Sequence, residues 1–204
     1  MKPRRFKQNI VTFAILLVIT LFSIAINGYF YGIETHGELL SFIKVNLDPS
    51  LFKNDIMIKF IPYYFTYFYW LMTPMSKIFG VEYAYFYVYI LVIFFLNITI
   101  FYLTKFLFKK DVVPYIAVLL FIVDKPFFGT GIKPDYLVPR LFVIPFLVLA
   151  MYLFLKERYA LSFALAGLSA NFHFTHAHQL FLLMMLYFAI FYKKIGFKMI
   201  AKSV

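Results

Sequence analysis

A chain of 204 residues that is 64% hydrophobic, 23% aromatic and only 14% charged lies outside the composition of soluble globular domains, which run near half apolar and about a quarter charged. Its formal charge of +11 comes with too little Glu, Ser and Gln for a solvated nucleic-acid binder, and the absence of Cys removes disulfide scaffolds, Cys zinc sites, thiol nucleophiles and iron–sulfur centres. What remains is an integral membrane protein, and long continuous apolar stretches favour helices over a barrel.

In chain order, Lys2, Arg4, Arg5 and Lys7 precede an apolar run over residues 10–26. That run exceeds the ~7 to 15 residues of a signal-peptide core and predicts an uncleaved first helix. Gly28, Gly32 and Gly37 keep its exit irregular. Residues 38–47 then carry Leu39, Leu40, Ile43 and Leu47 at helical spacing, as in a helix lying on the membrane, and Asp48-Pro49 ends it. Residues 60–80 are dense in Tyr, hold the only Trp and are bracketed by Pro62 and Pro74, the composition of an interfacial helix. Further spans are predicted over 83–104, 112–123 and 137–155. The second of these reaches only ~18 Å at helical rise, so it must extend past Asp124 toward Phe128 or cross where packing thins the bilayer. Residues 160–192 are too long for one crossing. Asn171, His173, Thr175, His176, His178 and Gln179 break them into two short helices meeting at a polar tip.

Charge counting chooses the topology. If residues 60–80 do not cross, 13 Lys and Arg fall inside and 7 outside; if they cross, the count becomes 8 inside and 12 outside. The first arrangement obeys the positive-inside rule. The expected fold is therefore an all-α polytopic helical bundle, one membrane domain over residues 1–204, with about six transmembrane helices plus an outer-face interfacial helix. Both termini are cytoplasmic in a plasma-membrane protein, with outer loops at 31–82 and 124–140 and a third outer region at the His-rich tip. Every acid except Asp111 and Glu157 then lies outside.

The first outer loop holds Glu34, His36, Glu38, Asp48 and Asp55, which either solvate an exposed loop or form a site. Glu34 and His36 make a poor metal pair on a helix, where positions two apart diverge, although extended backbone would put them on one side. Asp124, Lys125, Lys133, Asp135 and Arg140 share the second loop. Lys133 and Arg140 suit a lipid-linked phosphate at headgroup depth, or else snorkel among anionic headgroups. His173 and His176 face one way if helical and offer two ligands, short of a metal site; the polar tip of a short hairpin more often carries such residues for hydrogen bonding or packing. No P-loop, GxSxG, HExxH or GxGxxG motif occurs.

The order of these features resembles the N-terminal half of GT-C type membrane glycosyltransferases and their multi-pass relatives. The resemblance is carried by Glu34 in GIETHGELL; by IPYYFTYFYWLMTPMSKIFGVE with Pro62, Tyr63, Tyr64, Lys77, Phe79 and Gly80; and by TIFYLTKFLFKK at 99–110. ALAGLSANFHF from Ala164 and LDPSLFKND at 47–55 add to it. It implies transfer of a sugar from a polyprenyl-phosphate-linked donor to a lipid, glycan or protein acceptor on the outer face. Glu34 would be the general base, with Glu38 the fallback and Asp124 or Asp135 assisting. Lys133 and Arg140 would hold the donor phosphate, while His36, Asp48, Asp55, His173 and His176 would contact substrate. A divalent metal ion is left open as a cofactor. The chain has a lone Glu34 where those families carry an acidic pair, and six spans where they have eight or more. It therefore reads as the N-terminal part of a larger protein, completed by a C-terminal half or further membrane subunits. The competing readings are a non-enzymatic carrier or flippase subunit for lipid-linked or small anionic substrates, and a structural assembly subunit.

Overall fold

The first apolar run folds as α1 (Pro3–Asn27), and the irregular exit leads into α2 (Glu34–Leu47), α3 (Ile56–Lys59) and α4 (Phe68–Phe79). The remaining helices are α5 (Val81–Phe108), α6 (Val113–Val123), α7 (Pro139–Leu155), α8 (Tyr159–Ala170) and α9 (Phe174–Ile195). These assignments come from a computed structural model that describes residues 3–60, 66–123 and 135–195, and every regular element among the described residues is helical.

Local chemistry sets the breaks. Leu47 is the last helical residue of α2 because Asp48 precedes Pro49 and takes extended backbone, and Gly80, at φ +82, separates α4 from α5 without a straight continuation. Lys109 closes α5 in the left-handed region, its N–H bonded to the Lys105 carbonyl at 3.0 Å.

Six helices form the bundle, and their directions alternate. Thr20 of α1 meets Asn97 of α5 at 2.9 Å, while Tyr29 just beyond α1 packs against Phe86 at 5.2 Å, so α1 and α5 run antiparallel. Phe95 packs on Phe146 and Phe106 on Tyr152, which makes α5 and α7 parallel. The chain then reverses twice. Ser162 Oγ of α8 donates to the Ala150 carbonyl of α7 at 2.7 Å, and Tyr159 and Phe163 of α8 pack on Phe188 and Phe181 of α9. One end of the bundle thus gathers residues 28–60, 66–80, 135–138 and 171–173, and the opposite end gathers 109–112 and 156–158.

The largest core lies at the first of these ends. It joins Leu40 and Ile43 of α2, Phe68 and Met72 of α4, Tyr85 to Leu96 of α5, and Leu137 and Leu141 at the start of α7. The layer α2–α4 is therefore part of the folded core and not a loop laid over it. A second cluster holds Phe154 against Tyr159, Ala166, Met184 and Phe188; a third holds Leu16 against Phe101, Val118 and Ile122.

Among the described residues three helices are long and apolar enough to cross a membrane, over Gln8–Asn27, Val81–Phe108 and Phe174–Phe191. That is fewer than the six expected from sequence. The others, Val113–Ile122, Pro139–Leu155 and Tyr159–Ala170, are apolar but short. At 1.5 Å per residue α6 and α8 reach only ~17 to 18 Å and α7 ~26 Å, against a hydrocarbon core of ~30 Å.

Other boundaries also moved. The final apolar stretch gives one short helix and one long one, because the tip narrows to residues 171–173 and His176, His178 and Gln179 are absorbed into α9. The first surface helix begins at Glu34 rather than Glu38. Pro74 lies inside α4 instead of bounding it, on an exposed position. The expected extension of α6 toward Phe128 lies outside the described residues.

Candidate functional site

The end that carries α2–α4 is where the three charged regions of the sequence meet. Asn27 closes α1 by donating to the Ile122 carbonyl of α6 at 3.2 Å. Gly28 then turns the chain at φ +79, a region that L side chains rarely adopt, and a Cβ there would stand 3.2 Å from the Phe30 ring. The turn delivers the Phe30 N–H to the Asp135 carbonyl at 2.8 Å, joining the first region to the second. A second pair of bonds joins the first region to the third. The Tyr67 N–H reaches the Asn171 carbonyl at 2.9 Å, and Thr66 Oγ donates to the Phe172 carbonyl at 2.7 Å.

Around the first junction stands a wall of tyrosines. Tyr29 packs on Tyr89 with ring centroids 4.8 Å apart, and Tyr31 meets Tyr85 edge-on at 6.3 Å. Burial pushes the Tyr29 phenol well above its ordinary range, with Tyr31, Tyr89 and Glu82 adding to the rise; burial and Glu82 raise Tyr31 too. Both phenols therefore remain protonated at neutral pH. The Asp135 carboxylate bears electrostatically on Tyr89. One of its oxygens, Oδ1, and the Tyr29 hydroxyl are buried with no hydrogen-bond partner among the described residues. A donor-hungry carboxylate and an acceptor-hungry phenol in one wall would take a hydroxyl-bearing ligand, or water.

Around the second junction stand three basic side chains. His173 follows the α8 turn, His176 lies in the first turn of α9, and Arg140 lies in the first turn of α7. The two imidazoles meet edge-on at 4.6 Å, and the Nδ1 of each is buried without a hydrogen-bond partner among the described residues. The Arg140 charge bears on both rings. Burial holds the His173 pKa below its ordinary value, with His176 and Arg140 pushing the same way, so the ring is neutral at pH 7. A guanidinium whose charge bears on two imidazoles suits an anionic oxygen better than a metal cation. No group of three His, Asp or Glu that could hold a metal occurs among the described residues.

Below this cluster an apolar cavity of about 180 Å³ opens between α7 and α8, lined by Phe142, Val143, Phe146, Leu168, Ser169 and Phe172. Its one polar lining group is already committed, since Ser169 Oγ donates to the Leu165 carbonyl at 2.8 Å. The Phe172 and Phe142 rings pack at 5.1 Å, and Phe68 of α4 meets Phe142 at 5.5 Å, so the first turn of α4 borders the cavity. An aliphatic segment fits such a lining, with its polar end toward Arg140.

The remaining sequence candidates divide into three groups. Asp48 accepts the Ser50 N–H at 2.9 Å in the exposed turn after α2, where that bonding holds its carboxyl below the usual range; Asp55 is exposed in the same connection. Asp48 is thus a turn-forming residue, and the structure does not bring it into either junction. Glu34, His36 and Glu38 stand in the first turns of α2, a few residues from Phe30, and their side chains lie outside the described part of the structure. Asp124 and Lys133 lie outside the described residues altogether.

Sequence reasoning passed over Tyr29, Tyr85 and Tyr89, and also Thr66 and Tyr67, which tie the surface layer to the tip. With 17 Tyr in the chain, no tyrosine stands out. The signal that was present was Tyr29 beside Gly28, an aromatic held at a forced turn.

Compared with protein-family models, curated proteins and solved structures, the chain matches none of them.

Proposed function

We propose that this membrane protein transfers a sugar from a polyprenyl-phosphate-linked donor to a lipid, glycan or protein acceptor at the end of the bundle that carries α2–α4. The observation that carries the reading is the convergence there of three separate regions of the chain, through Phe30 to Asp135 at 2.8 Å and Tyr67 to Asn171 at 2.9 Å. In this reading the short helices α6, α7 and α8 cross together with the three long ones, giving six crossings, while α4 does not cross. The alternating helix directions support that count. The excess of Lys and Arg at the opposite end supports a cytoplasmic location for both termini and an outer location for the site.

Each group then has a task. The α7–α8 cavity takes the first part of the donor's isoprenoid chain, and Arg140 with His173 and His176 hydrogen-bonds the phosphate. Asp135, or Glu34 on α2, accepts the proton of the acceptor hydroxyl as that oxygen bonds to the anomeric carbon. The bond from the anomeric carbon to the phosphate oxygen breaks, its electron pair leaves on the phosphate, and Arg140 stabilises the charge. Tyr29 remains a donor for a sugar or acceptor oxygen throughout.

Membranes containing the chain, supplied with radiolabelled polyprenyl-phosphate sugars and mixed lipid acceptors, should move label into a new product. Asp135→Asn should reduce turnover at unchanged protein level. Label that stays on every donor offered to the unaltered chain would sink the proposal. A carrier draws support from one observation, the Asn97 amide at the middle of α5, which is fully buried and whose Oδ1 has no hydrogen-bond partner among the described residues. Uptake of lipid-linked or small anions into proteoliposomes without turnover would favour it.

A further inference from the structure

We infer that the outward face of α4 is a membrane-docking surface, seated where the headgroups of a bilayer meet its acyl chains. The inference rests on the chain being membrane-embedded and goes beyond it by assigning a partner to one helix face. α4 is apolar on two sides. Phe68, Tyr69, Met72 and Ser76 are buried in the core shared with α2 and α5. On the other side Trp70 is 75% exposed and Ile78 74%, with Tyr67 and Leu71 also uncovered, while Phe79 is exposed where the helix ends. A helix whose second face met water would carry polar residues there. This face offers the only Trp of the chain.

Continuity with a membrane span identifies what covers it. Beyond the Gly80 turn, Phe79 is followed at four-residue spacing by Tyr83, Tyr87 and Leu91, all exposed, which form one ridge down α5. The rings touch along that ridge, Phe79 to Tyr87 at 5.7 Å and Tyr83 to Tyr87 at 6.5 Å. α5 is long and apolar enough to cross a membrane, so Leu91 faces lipid in the embedded protein. Tyrosine and tryptophan concentrate at the membrane–water boundary, where an apolar ring and a polar tip are both accommodated. Tyr83 and Tyr87 therefore mark that boundary, and α4, whose last residue Phe79 packs on Tyr87, meets α5 at that level and turns the Trp70 side outward. Lys77, exposed beside Ile78, extends its ammonium group to headgroup phosphates while its stem covers apolar surface.

Because Trp70 is the sole tryptophan, the unaltered protein carries its own probe. The chain is reconstituted in phosphatidylcholine–phosphatidylglycerol vesicles whose lipids are brominated either near the headgroup end or near the methyl end of the acyl chain. An interfacial helix sits ~5–10 Å into the headgroup–acyl boundary, so Trp70 emission should be blue-shifted and quenched more by the shallow bromines than by the deep ones. Stronger quenching by deep bromines would make α4 part of a crossing. Quenching by aqueous iodide alone would place the face in water, and quenching by none of the three would mean that protein covers it. Any of these three results overturns the inference. A second variant, Trp70→Phe with Leu91→Trp, separates the two layers of the argument. Deep quenching at position 91 keeps the embedded reading whatever α4 does, whereas iodide quenching there would remove the premise itself.

Discussion

The contact between Thr20 and Asn97 is the most exposed point of the physical argument, because both residues are fully buried between α1 and α5. Asn97 Nδ2 donates to Thr20 Oγ at 2.9 Å, Thr20 Oγ donates to the Leu16 carbonyl at 2.8 Å, and Asn97 Oδ1 has no hydrogen-bond partner among the described residues. Deleting either partner should therefore have unequal effects. Thr20→Val removes the only acceptor of the Asn97 amide among the described residues and leaves that group unsatisfied, a loss of about 1–3 kcal/mol. Asn97→Leu removes the same bond but also removes the unpartnered oxygen, and leaves Thr20 bonded to its own helix. Interhelical hydrogen bonds in membranes average ~0.6 kcal/mol, so this change should fall within about 1 kcal/mol of neutral. The double variant should recover most of what Thr20→Val loses. The assay is reversible unfolding of the reconstituted protein in mixed micelles with increasing sodium dodecyl sulfate, comparing midpoints at constant slope. Equal losses for the two single variants, or strict additivity in the double, would refute the reasoning. A loss above ~3 kcal/mol for Asn97→Leu would show that Oδ1 has a partner such as a trapped water or transported ligand.

Three further outcomes are expected. Phe68→Ala empties a fully buried site between Tyr69, Tyr85 and Phe142 and should lose about 3–5 kcal/mol in the same unfolding assay, whereas Trp70→Phe on the opposite face should be near neutral. Gly28→Ala should lose roughly 1–2 kcal/mol, because the residue sits at φ +79 with the Phe30 ring 3.2 Å from the new Cβ. For His173 the folded-state pKa lies below its ordinary value of 6.5, so the unfolded chain takes up the proton first as pH falls. Stability should be flat above that value and decline below it, toward the lower folded-state pKa. His173→Phe should flatten the decline when unfolding midpoints are compared between pH 7.5 and pH 5.5.

The parts of the fold that depend on composition were legible in the sequence. Residues 83–104 read directly as the long helix α5 because nothing polar except Asn97 and two threonines interrupts them before Lys105. The Asp48-Pro49 stop was equally plain, since proline restricts the residue before it regardless of context. Boundaries that depend on tertiary support were not. His176, His178 and Gln179 looked like a break between helices, yet His173 and His176 pack together and Phe174 stacks on His178 at 5.2 Å, so the polar side chains cover the first turns of α9 without interrupting it. Pro74 was legible as a residue but not as a helix interior, because its tolerance depends on an outward-facing position on α4 that only packing defines. The junction of Phe30 with Asp135 could not be read at all. It is a backbone bond between residues far apart in the chain, and no residue type signals it.

The inequality of helix lengths has a consequence for the surrounding lipid. With 12 residues, α8 presents ~18 Å of apolar height where α5, with 28, presents ~42 Å. If α8 crosses as proposed, a bilayer matched to α5 on one flank must be pinched beside α8, or headgroups must be drawn down to meet it. In the proposed six-crossing arrangement that hydrophobic mismatch falls on the flank where the α7–α8 cavity opens, and a lipid phosphate moving in the membrane plane would be lowered there toward Arg140. Membranes of thinner hydrocarbon relax the distortion, and the protein should partition into them in preference to thick, sterol-rich ones.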